Sequence, residues 1–136
     1  MTRFIFILGA LLLVGPVRAA EQVPGQVQMK NTLQSYFDAM NEGDAAKIKA
    51  MFAPDAMIED PLGAALRPAT AFIDAVLPAK LNFNVLLLTA TQSNIAAAAL
   101  FIATPNGGLN AIEVFTFNPD GKITGMKAYW SASDRQ

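Results

Sequence analysis

The chain has 136 residues, carries ten Lys and Arg against eleven Asp and Glu, and contains neither histidine nor cysteine. Without these two residue types, the usual zinc and copper sites, Ser–His and Cys–His nucleophile pairs, and disulfides are excluded. The sequence has no basic run, so we expect no nucleic-acid partner, and acid–base chemistry must come from carboxyl groups, Tyr or Lys.

The first residues have the pattern of a secretory signal peptide. Arg3 gives a positive start, residues 4–14 form an unbroken apolar run, and Val17-Arg18-Ala19 places small residues before a cleavage site. A permanent membrane anchor is the alternative, but a membrane span takes about 20 apolar residues. We therefore expect residues 1–19 to be removed. Residues 20–136 are then one domain that is periplasmic or secreted, with no membrane partner.

Two helices are predicted at the start of this domain. Apolar side chains recur at helical spacing from residue 27 to residue 40, and Gly43 is placed to cap the end of the first helix. Asp44 caps a short second helix, which carries apolar residues up to Phe52 and is closed by Pro54. The apolar stripe of the first helix consists of Val27, Leu33, Tyr36, Phe37 and Met40.

The pattern then changes from helix to strand. Residues 56–60 are typical of a short strand, and a third helix follows, which Pro68 opens and Pro78 ends. Four longer strands are predicted at residues 81–91, 95–104, 109–118 and 123–130. Turns at residues 106–108 and 118–121 connect the last three of them. Three helices followed by antiparallel strands predict an α+β fold, with the helices on one face of a curved sheet.

Glu113 is an unusual residue in the strand predicted at residues 109–118. Alternation places it among apolar side chains on one face of the strand. A carboxylate in such surroundings is costly, so we expect its pKa to rise until the group is protonated. The alternatives are a kink that turns Glu113 outward, or an ion pair with Lys127 or Arg67.

Three further positions have more than one interpretation on pattern alone. Asp60 lies at the end of a strand, although an Asp before Pro is also typical of a turn. Tyr36 belongs to a helical apolar stripe, where core packing is the simplest interpretation. Trp130 shares an apolar strand face with Met126 and Ala128, which fits either a core or a pocket.

Four segments, taken in chain order, resemble the Δ5-3-ketosteroid isomerases. This family belongs to the larger group of cone-shaped folds that includes nuclear transport factor 2 and the SnoaL-like polyketide cyclases. The segments are YFDAMNEGD from residue 36, IEDPLG from residue 58, IEVF from residue 112 and MKAYWS from residue 126. The resemblance extends from about residue 27 to residue 131, and its most specific parts are Glu-Asp-Pro-x-Gly and Tyr-Trp-Ser.

The resemblance implies a proton shuttle that needs no metal or organic cofactor. Asp60 aligns with the general base of the isomerases, while Tyr36 and Glu113 align with their two hydrogen-bond donors to the dienolate oxygen. It also implies a hydrophobic small-molecule substrate, such as a 3-oxo-Δ5-steroid, and a homodimer. Contacts to the substrate are expected from Met40, Phe115, Met126, Ala128 and Trp130.

The sequence also departs from the pattern of the isomerases. Glu113 stands where the family has Asp, and Phe52 and Val76 stand where some members have additional tyrosines. Two other functions therefore stay open. One is a cyclase- or dehydratase-like reaction on another carbonyl compound in the same pocket, and the other is a non-catalytic periplasmic carrier of a hydrophobic small molecule.

Overall fold

The computed structural model describes residues 24–61 and 66–135. The predicted signal peptide, residues 1–19, lies outside this part of the chain and stays a prediction. No helix within the described residues is long and apolar enough to cross a membrane. The elements are α1 (Gln26–Glu42), α2 (Ala45–Ala50), β1 (Phe52–Glu59), β2 (Arg67–Pro68), α3 (Ala69–Val76), β3 (Asn82–Ala90), β4 (Ile95–Thr104), β5 (Gly107–Phe117) and β6 (Ile123–Tyr129).

The strands form one six-stranded sheet in the order β2-β1-β6-β5-β4-β3. β1 runs parallel to β6, and the other neighbouring strands are antiparallel. The helices pack against this sheet, with α1 on β3 and α3 on β1, which confirms the predicted α+β fold with a mainly antiparallel sheet. The apolar side chains of Leu87, Ile112 and Tyr129 are exposed on the surface of the protein. The homodimer expected from the sequence stays a prediction.

Helix α1 buries one face against the sheet. Gly43 ends the helix in the left-handed conformation, as predicted, with φ of 73°. Val27, in contrast, is 69% exposed, so its assignment to the buried stripe is wrong. Two residues of helix turn by about 200°, which places Val27 away from the face that starts at Met29. The buried residues of α1 are Met29, Leu33, Tyr36, Phe37, Ala39 and Met40.

The predicted boundary between the second helix and the first strand is wrong. Helix α2 ends at Ala50, and Phe52 and Pro54 belong to β1. The register of β1 against β6 shifts between Phe52 and Met57. Pro54 lies within this irregular stretch, where its missing N–H removes no bond from the ladder. Pairing with a distant strand therefore outweighs the local helical pattern.

The hairpin between β4 and β5 is tighter than predicted. Thr104 pairs with Gly107, so the loop is Pro105-Asn106 instead of residues 106–108. A Cβ atom at Gly108 would lie 2.3 Å from the ring of a phenylalanine in β4. This glycine is therefore required by the close approach of two strands and not by a turn.

Asn41 joins the end of α1 to the start of β3. Its side-chain amide donates a hydrogen bond to the carbonyl oxygen of Phe83 at 3.0 Å. Its Oδ1 accepts a second bond from the backbone N–H of Phe83 at 2.7 Å. One side chain thus satisfies both backbone groups of a strand residue.

We expect Asn41→Ala to lower the free energy of unfolding by about 1–3 kcal/mol, because it leaves two backbone groups of β3 without partners. Chemical denaturation measures this difference. The matched control is Gln34→Ala, which removes an exposed bond to Asp38 and is expected to change stability by no more than about 0.5 kcal/mol. Equal losses for the two variants would show that the Asn41 bonds do not stabilise the fold.

Candidate active site

A cavity of about 370 Å³ lies between α3 and the inner face of the sheet. It contains two carboxyl groups, Asp60 and Glu113, in mostly apolar walls. A concave apolar site with a few polar groups is typical of small-molecule binding. The apolar walls are formed by Phe72, Val76, Leu81, Phe83, Ile102, Leu109 and Trp130.

The register of the sheet explains why the two carboxyl groups meet. Glu113 pairs with Ala128 of β6, and Glu59, the last residue of β1, pairs with the neighbouring Lys127. Asp60 follows Glu59 directly, so its side chain is directed to the opposite face, which Glu113 also occupies. Both carboxyl groups are buried, with exposed fractions of 7% and 3%, and they line the same cavity, Glu113 from β5 and Asp60 from the residue that follows β1.

The surroundings of Glu113 favour its neutral form. Burial, together with the negative charge of Asp60, raises the pKa of Glu113 from 4.5 to about 8. Within the described residues, Glu113 Oε2 has no hydrogen-bond partner. Lys127 pairs with Glu59 at 3.0 Å instead. Neither an outward kink nor an ion pair of Glu113 with Lys127 or Arg67 is observed, so this carboxyl group can act as a hydrogen-bond donor at neutral pH.

Tyr36, on α1, carries a fully buried phenol that does not line the cavity but lies close enough to Glu113 and Asp60 for their charges to act on it. Its ring makes edge-to-face contacts with Phe37, Phe52 and Phe115, at centroid distances of 4.9, 5.9 and 5.4 Å. Burial, and to a smaller extent the charges of the two carboxyl groups, raises the pKa of Tyr36 well above 10. Its hydroxyl has no hydrogen-bond partner in the described part of the chain. The group therefore stays protonated and can donate.

Two unpaired donors and one carboxylate form a chemically useful set. Buried polar atoms without a partner are rare in proteins, yet the described residues contain two, on Tyr36 and Glu113. Neutral donors in an apolar site stabilise an oxygen that becomes negatively charged. A nearby carboxylate, Asp60, is placed to accept a proton. Within residues 24–61 and 66–135, no group of three or more acidic side chains can hold a metal ion.

The residues predicted to contact substrate fall into two groups. Trp130 lines the cavity. Met40, Phe115 and Met126 are buried in the core and do not line it. Ala128 is also buried, beside a neighbouring cleft that shares Asp60 with the cavity. The contact of these residues with a substrate stays a prediction.

The cavity walls include residues that sequence reasoning did not assign to a site. Phe72 and Val76 belong to α3, and Phe83 and Ile102 to β3 and β4. Their periodicity is that of ordinary core residues, since walls and core show the same alternation of apolar side chains. Only the packing of α3 over the sheet distinguishes them.

The chain was compared with known proteins. The model of the SnoaL-like domain family matches residues 33–126. A steroid Δ-isomerase of Nocardioides simplex is 36% identical over 116 residues, which covers 79% of this chain and 93% of that protein. The solved structure of SalBIII, an epoxide hydrolase/cyclase-like enzyme with a role in pyran ring formation in the polyether salinomycin, is 32% identical. The likeness covers 80% of this chain and 95% of SalBIII, with a TM-score of 0.73.

A second solved structure is similar in fold. It is a candidate ketosteroid isomerase from Kribbella flavida, and it is 19% identical to this chain with a TM-score of 0.69. The likeness covers 78% of this chain and 79% of that protein. At this identity, the similarity concerns the cone-shaped fold alone.

Proposed function

The chain belongs to the SnoaL-like domain family, part of the nuclear transport factor 2-like group, and on this basis we propose that it is a steroid Δ-isomerase-like enzyme. It shifts the double bond of a 3-oxo-Δ5-steroid, or of a similar hydrophobic ketone, by intramolecular proton transfer. One observation carries this proposal. Tyr36 and Glu113 are protonated and have buried polar atoms without a partner among the described residues. Glu113 lines the cavity together with Asp60, and Tyr36 lies close enough to both carboxyl groups for their charges to raise its pKa.

The reaction begins when the Asp60 carboxylate takes a proton from C4 of the substrate. The electrons of the broken C–H bond form a dienolate, whose negative charge lies largely on the oxygen at C3. The hydroxyl of Tyr36 and the carboxyl group of Glu113 donate hydrogen bonds to this oxygen. Asp60 then returns the same proton to C6, which yields the conjugated ketone and restores the carboxylate. No other reactant is consumed.

The apolar walls increase the effect of these donors. Hydrogen bonds to a developing oxyanion in a dry site are worth about 3–4 kcal/mol of barrier each. Because Glu113 is neutral below about pH 8, it can donate at the pH at which Asp60 must accept. One carboxyl group can thus donate a hydrogen bond while the other accepts a proton in the same cavity, as in the established mechanism of ketosteroid isomerases.

The direct test is to add androst-5-ene-3,17-dione to the purified protein and to follow the absorbance of the conjugated enone. We expect enzyme-dependent formation of the 4-ene product. The absence of enone absorbance at high enzyme concentration would contradict the proposed isomerase function.

A second candidate function is a cyclisation, which the 32% identity to SalBIII favours. A neutral Glu113 can protonate the oxygen of an opening epoxide, while Asp60 takes the proton of the attacking hydroxyl group. This reaction needs both carboxyl groups but no oxyanion donor at Tyr36. A non-catalytic carrier, in contrast, would bind a hydrophobic ligand and turn over neither kind of substrate.

Tyr36→Phe separates these functions. If the protein is an isomerase, Tyr36→Phe is expected to lower kcat by about 10²–10³-fold because one oxyanion donor is removed. Its stability should be equal to that of the parent or higher by about 1 kcal/mol, since a buried hydroxyl without a partner is removed. Enone formation and chemical denaturation measure the two effects.

The matched control is Tyr129→Phe, which changes the other of the two tyrosines at a position that is 51% exposed. This variant should keep both activity and stability. Full isomerase activity of Tyr36→Phe would contradict the role of Tyr36 as a donor.

A further inference from the structure

The two ends of the cavity differ in charge. Asp60 and Glu113 are both buried and line the cavity, and the part of it next to them, beside the pair of Glu113 with Ala128 in β6, is called the inner end. Thr104, Asn106 and Arg135 line the cavity near the hairpin that joins β4 to β5. Among the lining residues in the described part of the chain, Arg135 is the one cation. The walls between the two ends are apolar.

A short turn at the end of the chain holds Arg135 in this position. In the turn Ala132–Asp134, the side chain of Ser131 accepts a bond from the backbone N–H of Asp134. The carboxylate of Asp134 accepts one from the N–H of Ser131 in return. Arg135 follows and forms an isolated β-bridge with Leu109 in β5. Backbone contacts therefore determine where the arginine lies.

The guanidinium group of Arg135 is available to a ligand. Within residues 24–61 and 66–135, no ion pair or hydrogen bond engages this side chain. Lys47, Lys49 and Lys127, by comparison, each have an acidic partner at 2.6–3.3 Å. An arginine that is exposed at the edge of an apolar cavity can bind a carboxylate with two hydrogen bonds at the cost of little desolvation.

The spacing along β5 sets the length of a ligand that reaches both ends. Leu109, the bridge partner of Arg135, precedes Glu113 by four residues. A strand rises about 3.3 Å per residue, so the two positions are about 13 Å apart. The negative charge of Asp60 disfavours an anion at the inner end. An elongated molecule with an anionic end should therefore bind in one direction, with that end at Arg135.

We infer that the natural substrate is amphipathic and that Arg135 determines this specificity. The carbonyl group of the substrate lies between Tyr36 and Glu113, and a carboxylate or similar oxyanion at its far end binds Arg135. A steroid with an acidic side chain has this arrangement. The inference rests on the proposed function, because it concerns the substrate of the same cavity.

The binding test uses one steroid nucleus with and without a charge. The probes are 3-oxochol-4-en-24-oic acid and its methyl ester, and the signal is the fluorescence of the single tryptophan, Trp130, which lines the cavity. Because exposed ion pairs are weak, we expect the acid to bind about three- to tenfold more tightly than the ester. Arg135→Gln should remove this preference by weakening binding of the acid alone.

Two further variants complete the test. Arg135→Lys keeps the positive charge and should retain part of the preference. Lys47→Gln removes one positive charge at a residue that does not line the cavity and should retain all of it. The Δ5 forms of the same acid and ester, assayed for isomerisation, should show the preference in KM, with similar values of kcat.

The outcomes for the inference and for the proposed function can be told apart. Equal affinity of the parent for acid and ester, a preference that survives in Arg135→Gln, or no binding of either probe overturns the inference. A preference that Arg135→Gln removes, without turnover of the Δ5 forms, supports the inference and removes the isomerase function. Turnover of both Δ5 forms with equal KM supports the isomerase function and overturns the inference about Arg135.

Discussion

Asp60→Asn is expected to lower kcat for the isomerisation by about 10²–10⁴-fold, the usual contribution of a general base. The amide has nearly the same shape as the carboxyl group but cannot accept the proton from C4. The apolar walls of the cavity are unchanged, so KM should change little. Enone absorbance under saturating substrate measures kcat, and circular dichroism checks that the fold is retained.

The neighbouring residue offers a matched control for this variant. Glu59→Gln removes the same charge one position earlier, where the side chain faces away from the cavity and pairs with Lys127. It is expected to keep the activity of the parent. If Asp60→Asn turned over a 3-oxo-Δ5-steroid as fast as Glu59→Gln, Asp60 would not be the base.

The isomerase activity is expected to decrease at alkaline pH because Glu113 loses its proton. Because the pKa of this group is about 8, it loses its proton, and with it the ability to donate, as the pH rises through that value. We expect kcat to fall accordingly. Glu113→Gln donates through an amide at every pH, so its activity should be roughly tenfold lower at pH 7 but should show no decline near pH 8. Glu113→Leu lacks a donor and should lose about 10²–10³-fold.

The same group links stability to pH in a defined direction. Its pKa is raised from 4.5 to about 8 on folding, so the folded state binds an additional proton between these values. The resulting stabilisation is fully present below pH 4.5 and is lost as the pH rises through 8. Denaturation at a series of pH values should show this fall for the parent and not for Glu113→Gln. Parallel curves for the two proteins would mean that Glu113 is not buried as a neutral acid.

The position of Glu113 could be predicted because it depends on a local rule. Alternation along one strand places Glu113 with Phe115 and Phe117 on the buried face. The start of β1 could not be predicted in this way. Phe52 continues a helical pattern, and only its pairing with Ile123, far along the chain, makes it part of a strand.

The walls of the site were the least predictable part. Met126 and Phe115, which are predicted to contact substrate, lie in the core, whereas Phe72 and Val76 of α3 line the cavity. The difference depends on how far a helix lies from the sheet below it, and no local spacing of apolar residues records that distance.

Gly108 has a consequence for how this site can evolve. It lines the cavity from β5, and a Cβ atom there would lie 2.8 Å or less from two ring atoms of Phe101 and 2.9 Å from the carbonyl oxygen of Ile102. The backbone contact cannot yield without moving β4, so Gly108 cannot be replaced by a larger residue while the sheet stays as it is. Adaptation to a new ligand should instead proceed through α3, where exchanging Phe72 or Val76 alters the shape of the cavity and leaves the sheet intact.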